Sequence, residues 1–268
     1  LILPVELSSA LIEHRNSLAA RQRELGGFGL MAAFTHLTDA LVRRLLRIAS
    51  EYSDTVTGLA VAAVGGYGRC EMAPFSDIDV AFVSSGEEDD LLDQTAKRAF
   101  RMLMEVSECA GLSVGYSYRR VDDMDGLPLD TQTAMLDARC VAGDQALFSS
   151  FEQALRNAIV PAAFVGEHAR GRNSNGSGDT PYAVEPDIKE GAGGLRDLHA
   201  ARWMAQIAFG LPGNLVWDGL RARGVLSDDE MEEVHSAAEF LAKTRNALHL
   251  AAGRALDTLS VERHKQTA

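Results

Sequence analysis

Asp77 and Asp79, spaced i to i+2 in the run SDIDVAFV, are the side chains in this sequence best suited to gripping a divalent cation. Ile78 and Val80 alternate with them, so on a β-strand both carboxylates point one way and the apolar pair points into a core. Two carboxylates on one face repel each other unless a cation lies between them, and such hard oxygen donors suit Mg2+. Ten residues separate this pair from Gly65 and Gly66, which with Gly68 make the turn GGYG. Glycine amides in a turn can approach phosphate oxygens that a Cβ would hold away. The chemistry these types and spacings suit is that of a metal-bound polyphosphate.

The elements around them must hold that arrangement. Residues 59–64, LAVAAV, form a short apolar run ended by glycines, as expected of a strand covered on both faces. A D-x-D pair alone is most often a solvated strand end, and a GGxG alone is a weak signal. The combination is stronger: apolar strand, GG, a short excursion, then D-apolar-D-apolar in a second apolar strand. That pattern resembles the DNA polymerase β-like nucleotidyltransferase superfamily. It implies an α+β fold, a mixed sheet with helices packed on it. In such a site Gly65 and Gly66 offer backbone N–H groups to the β- and γ-phosphates. Arg69 is a candidate phosphate clamp, or else a salt-bridge partner of Glu71 or Asp77.

Along the chain, residues 6–25 read as a polar, Arg-rich helix stopped by Gly26 and Gly27. A second helix is expected from about 34 to 52, with Leu37, Leu41, Leu45 and Ile48 inward and Arg43, Arg44 and Arg47 on the other face. Residues 90–110 predict a helix with Leu91, Leu92, Ala96, Phe100, Leu103 and Met104 inward, and 112–119 a third strand. Residues 130–160 read as one or two more helices, and 166–180, GEHARGRNSNGSGDT, as a loop or domain connection. A helix is expected from about Leu195. Another runs from Ser227 to Gly253, opened by the capping-box pattern Ser227-Asp228-Asp229-Glu230. The expected organisation is an N-terminal helix (1–29), a nucleotidyltransferase core (30–150) and a helical domain (151–268).

Composition narrows the partners. A net charge of −12 argues against a nucleic-acid surface or a polybasic membrane contact. Cys70, Cys109 and Cys140 are odd in number and unpaired in spacing, as in a cytoplasmic protein with reduced thiols. No apolar run approaches the ~18 residues that span a bilayer. The chain starts without Met and stops in a polar run, so a longer parent protein is expected.

Three separated segments carry a more specific resemblance. They are GGYGRCEMAPFSDIDV (65–80), LSVGYSYRRVDDM (112–124) followed by MLDARCVAGDQALF (135–148), and VEPDIKEGAGGLRDLHAARWMA (184–205) followed by TRNALHLAAGRALDTL (244–259). In order, they resemble the N-terminal half of the bacterial PII uridylyltransferase/uridylyl-removing enzyme family. The resemblance implies transfer of UMP from UTP to a tyrosine hydroxyl of a PII-type signalling protein, with release of pyrophosphate and Mg2+ as cofactor. Two departures from that family's pattern stand out. Cys70 replaces the usual glycine after the arginine, and Tyr116 stands where a histidine is common.

The remaining candidates follow from this chemistry. The superfamily usually supplies a third metal-binding carboxylate, and Asp137 in MLDAR is the first candidate, with Asp122 and Asp123 behind it. Asp137 is equally suited to a salt bridge with Arg139 or another neighbour. Lys189 in EPDIKEGAGGLRD is the candidate second-domain contact to the triphosphate, while Arg196 and Asp197 cap and bridge the helix they open. His199, His235 and His249 lie among apolar residues and read as core or surface histidines. Two alternatives remain open: nucleotidyl transfer of AMP or UMP to another protein or small molecule, and a regulatory module that binds nucleotide without turning it over.

Overall fold

A computed structural model describes residues 2–51, 56–85, 90–174 and 183–263. The chain divides into two compact units, Leu1–Arg23 with Leu30–Ala158, and Glu24–Gly29 with Ile159–Ala268. The fold class is α+β, as expected. In the first unit four strands form one mixed sheet: β1 (Leu59–Ala63), β2 (Ile78–Ser84), β3 (Val114–Arg120) and β4 (Arg139–Gly143), in the order β3-β2-β1-β4. Strands β1 and β2 pair antiparallel, from Leu59 opposite Ser84 to Ala63 opposite Val80. Between β2 and β3 runs helix α4 (Asp90–Cys109), and this crossover makes the pair parallel, with Asp79 beside Gly115.

Central strand β1 is buried at all five positions, which explains its unbroken apolar run. Phe82 and Phe151 are fully buried in the same unit, each contributing about 2 kcal/mol of apolar burial. Helix α1 (Ile2–Ala20) lies against α4; Arg15 donates to the Ala110 carbonyl at 2.9 Å and stacks over the Phe75 ring. The first helix therefore ends at Ala20 rather than running to the glycines, because the chain already turns at Arg21. Helix α2 (Gln22–Ala49) then restarts after a kink at Gly26, whose φ of 73° is a left-handed value.

The expectation that no segment is apolar enough to cross a membrane needs correcting. Helix α2 passes that test by length and composition, although half of the qualifying 18-residue window is buried. Leu30, Met31, Phe34, Leu41 and Leu45 are all buried there, as in the core helix of a globular fold. Helix α4 also differs from expectation. Ala96 and Leu103 face inward, but Leu91 and Met104 are exposed, because the inward stripe is narrower than the run of apolar residues.

The stretch 130–160 holds more than helices. Helix α5 (Leu129–Leu136) and helix α6 (Gln145–Ala158) flank the five-residue strand β4, of which only Val141 is buried. Strand β4 joins α2 through Arg139, whose guanidinium donates to both Asp39 oxygens at 2.8 and 3.0 Å.

The second unit is helical. Helix α7 (Pro161–Ser174) occupies most of the region expected to be a loop, and Phe164 is buried within it. Residues 175–180, the rest of that expected loop, lie outside the described residues. Packing decided this against glycine composition: α7 lies against α8 (Leu195–Phe209), with His168 stacked on Trp203 at 5.6 Å. Helix α9 (Val216–Ala222) follows, with Val216 and Leu220 buried against Ala205 and Leu211. Helix α10 (Asp228–Ala252) opens on the expected capping box, with Ser227 and Glu230 bonded reciprocally.

One buried polar network closes this unit. Asp257 accepts from Arg245 Nε at 2.8 Å and pairs with His249 Nε2 at 3.1 Å, and His249 is wholly buried. Burial holds the His249 imidazole below its ordinary pKa of 6.5, with Arg245 and Lys189 adding to that effect against the pull of Asp257. A histidine kept neutral by folding contributes stability above its unfolded pKa and loses it as pH falls, because the unfolded chain then binds the extra proton. The wild-type chain should therefore melt at a lower temperature at pH 5.5 than at pH 7.5. His249→Gln, followed by circular dichroism, should flatten that dependence.

Candidate active site

The turn between β1 and β2 is built around α3 (Gly65–Gly68), a single helical turn. Gly65 has φ of +56°, and the Gly68 amide donates to Val64 O at 3.1 Å. Gly68 is needed for space. A Cβ there would overlap the Asp137 carbonyl oxygen and lie 2.9 Å from Ala63 O. Opposite this turn Asp79 is the second residue of β2, and its backbone carbonyl accepts from Val64 N at 3.0 Å. Its carboxylate faces Gly65: Oδ2 is 3.7 Å from where a Cβ on Gly65 would stand. Asp77 is exposed and Asp79 half-buried, while Ile78 and Val80 are buried, the alternation that a half-buried strand requires. The structure thus brings together Asp79, Gly65, Gly66 and Gly68.

Beneath the turn lies Arg69, 6% exposed in its side chain. Its Nε donates to Glu71 at 2.8 Å, and its Nη1 donates to Asp137, whose side chain is fully buried. Burial alone would lower the Arg69 pKa, but the two carboxylates outweigh it and hold the guanidinium above its ordinary value. Nη2 lies 3.8 Å from where a Cβ on Gly66 would stand, so the guanidinium supports the glycine turn from below. Asp137 is committed to this pair. Among the described residues no three His, Cys, Asp or Glu side chains gather as a metal cluster.

A second bracket sits beside the first. Tyr67, 1% exposed, packs against Asp39 and the Arg139 guanidinium, the latter 5.7 Å from its ring centroid. Burial first, and then the Asp39 charge, pushes its phenol pKa up. Residues 137–139 therefore hold GGYGR at its middle and its end, Arg139 with Asp39 against Tyr67 and Asp137 through Arg69. Sequence reading overlooked Asp39 and offered Arg139 only as a partner for Asp137, whereas Arg139 pairs with Asp39. A signal existed: Thr35, Asp39, Val42 and Leu46 recur at helical spacing on a buried stripe, so an acid there required a cation.

Lys189 belongs to the second unit and sits in a turn wound on Asp187. The Asp187 Oδ1 accepts from Lys189 N and Glu190 N at 2.9 and 2.7 Å, and its carbonyl accepts from Gly191 N at 3.1 Å. Lys189 Nζ lies 4.0 Å from Asp257 and 3.9 Å from Glu190, and a third of its side chain is exposed. Arg196 grips Glu190 with three contacts of 2.7 to 3.2 Å, and Asp197 accepts from Gly193 N at 2.7 Å.

Comparison with known proteins bears on this geometry. Residues 17–118 match the family described as "Putative nucleotidyltransferase DUF294", and residues 165–268 match "GlnD PII-uridylyltransferase". A bifunctional uridylyltransferase/uridylyl-removing enzyme of Cereibacter sphaeroides is 35% identical over 93% of this chain. Enzymes of the same description from Burkholderia orbicola and Burkholderia thailandensis are each 36% identical over 89% of it. Along most of its length the chain is thus similar to GlnD-type uridylyltransferase/uridylyl-removing enzymes. It spans 27% of the length of each of these relatives.

The two departures from the GlnD-like pattern now have physical content. Cys70 has φ of +62°, one of two non-glycine residues among those described with a positive value, so glycine is the unstrained choice there. Tyr116 turns away from the carboxylates. Its ring lies 4.2 Å from that of Phe100 on α4 and 5.7 Å from Phe82, on the face opposite Asp79.

Two substitutions test these brackets. Asp137→Asn removes the buried counter-charge of Arg69 and should cost about 3 kcal/mol in urea denaturation. Cys70→Gly relieves left-handed strain and should stabilise the chain by about 0.5–1 kcal/mol in the same assay, net of the freedom glycine adds to the unfolded state.

Proposed function

We propose that this chain is a nucleotidyltransferase that transfers UMP from UTP to a tyrosine hydroxyl of a PII-type signalling protein, releasing pyrophosphate. The observation that carries this reading is the Asp79 carboxylate, held at the glycine turn with Asp77 exposed beside it. The similarity to uridylyltransferase/uridylyl-removing enzymes supports the nucleotide, and the match to the family described as GlnD PII-uridylyltransferase supports the acceptor. A soluble, cytoplasmic setting without nucleic acid or membrane partners fits the acidic charge balance.

The donor set suits Mg2+, since Asp77 and Asp79 supply paired hard oxygens and soft ligands are not needed. Bound there, the ion would neutralise charge on the phosphates and on the oxygens entering and leaving the α-phosphorus. The protein's own groups do the rest. The amides of Gly65 and Gly66 stand at the start of α3 and can donate to phosphate oxygens. Arg69, buried between two carboxylates, acts on the nucleotide through the turn it braces. Gly68 admits no side chain, so the turn stays close to the strand ends it joins. Lys189, a third exposed in the second unit, is a candidate phosphate contact in its own right.

A non-catalytic nucleotide-binding module is the second reading. It is favoured by the commitment of Asp137 to Arg69 and by the lack of a three-acid cluster among the described residues. Transfer of AMP or UMP to a different acceptor is a variant of the first reading. Pyrophosphate release, measured with UTP and with ATP, with and without a PII protein, separates all of them. With UTP and PII present, Asp77→Asn and Asp79→Asn should each lower turnover on the order of a hundredfold or more. The melting temperature of Asp77→Asn should hold or rise, because that substitution at an exposed position also removes carboxylate repulsion. Full activity in either variant would overturn the assignment.

A further inference from the structure

The Asp79 carboxylate is bracketed on both sides by glycines from different elements. Its Oδ2 faces Gly65, where an added Cβ would meet it at 3.7 Å, an ordinary contact. Its Oδ1 lies across β3, over Gly115, the residue paired with Asp79 in the parallel ladder. A Cβ on Gly115 would overlap Oδ1 itself and stand 3.2 Å from the Asp79 Cγ. No residue but glycine leaves the carboxylate where it is.

Backbone conformation does not explain this glycine, since Gly115 is absent from the residues with positive φ. A strand-interior glycine is otherwise a weakness, giving up packing and adding freedom to the unfolded chain. What it provides here is room. The obstruction that a side chain at 115 would meet is the end of a side chain rather than backbone, so the strand can keep its register while Asp79 rotates to another staggered position. The expected consequence of filling that room is a moved carboxylate on an intact sheet.

We infer that Gly115 is a positioning residue for the site, and that its missing side chain keeps Oδ2 of Asp79 at the glycine turn in the orientation that holds a divalent cation. This rests on the reading of Asp77 and Asp79 as the cation's ligands. Ser117, on the same face of β3 and opposite Ala81, is one repeat further from Asp79 and serves as the comparison.

Mn2+ is the probe, with free hexaaqua ion measured by electron paramagnetic resonance in the presence of the full chain and no nucleotide. Gly115→Ala should weaken Mn2+ binding roughly tenfold or more, the scale on which groups that orient metal ligands act. Its melting temperature should equal or exceed that of the wild type, which a glycine serving only the fold would not allow. Ser117→Ala should leave both quantities unchanged, and Asp79→Asn should lose binding. Wild-type Mn2+ affinity in Gly115→Ala, together with lost binding in Asp79→Asn, overturns the positioning role alone. A collapsed melting temperature in Gly115→Ala overturns it as well. Retained binding in Asp79→Asn overturns the cation reading from which it follows.

Discussion

The glycine turn of this protein stands on a buried charge. Arg69 lies beneath GGYG, with Glu71 on one side and the fully buried Asp137 on the other. Taking a guanidinium and a carboxylate out of water is costly, and that cost is offset only when geometry and hydrogen bonding are both good. Such a pair adds little net stability over an apolar substitute, but it admits few alternative arrangements. The turn, the end of α5 and the start of β4 are thereby locked together. Arg139 and Asp39 extend the lock to α2, with Tyr67 packed between them.

That constraint accounts for what surrounds it. Asp79 can present its carboxylate to Gly65 because the turn is held close to the start of β2, and the turn is held close because Gly68 carries no Cβ to strike the Asp137 carbonyl. The acids of the site divide into two kinds. Asp77 and Asp79 reach the surface to different degrees, whereas Asp137 and Asp39 are buried and spent on arginines. In a chain of net charge −12, the two buried acids are the ones whose charge is offset by an arginine.

The second unit uses carboxylates in the same structural way. Asp187 winds the turn that carries Lys189, and Asp257 joins that turn to α10 through Arg245 and His249, while its own carbonyl accepts from Ile188 N at 2.8 Å. Glycines 191 and 194 permit the close approach of backbone that this winding needs. The run EPDIKEGAGGLRD is thus a built structure in itself, and Lys189 is displayed from it.

Much of this was legible in the residues taken alone, for reasons that are local. The two-residue alternation of Asp77 to Val80 specifies which side chains share a face, a capping box specifies a helix start at Ser227, and an unbroken apolar run specifies the buried β1. Strand β4 was not legible, since five residues with one buried side chain carry too little pattern, and α7 was hidden because its glycines and polar residues mimic a loop. The partners of Arg69 and Arg139 were beyond reach for a different reason. Their carboxylates lie 68 and 100 residues away, and only the pairing of β1 with β4 and the packing of α2 bring them in. The sequence by itself determined which groups could do chemistry; the tertiary structure decided where they stand, because burial and register pair Asp137 and Asp39 with arginines and set Asp79 beside Gly65.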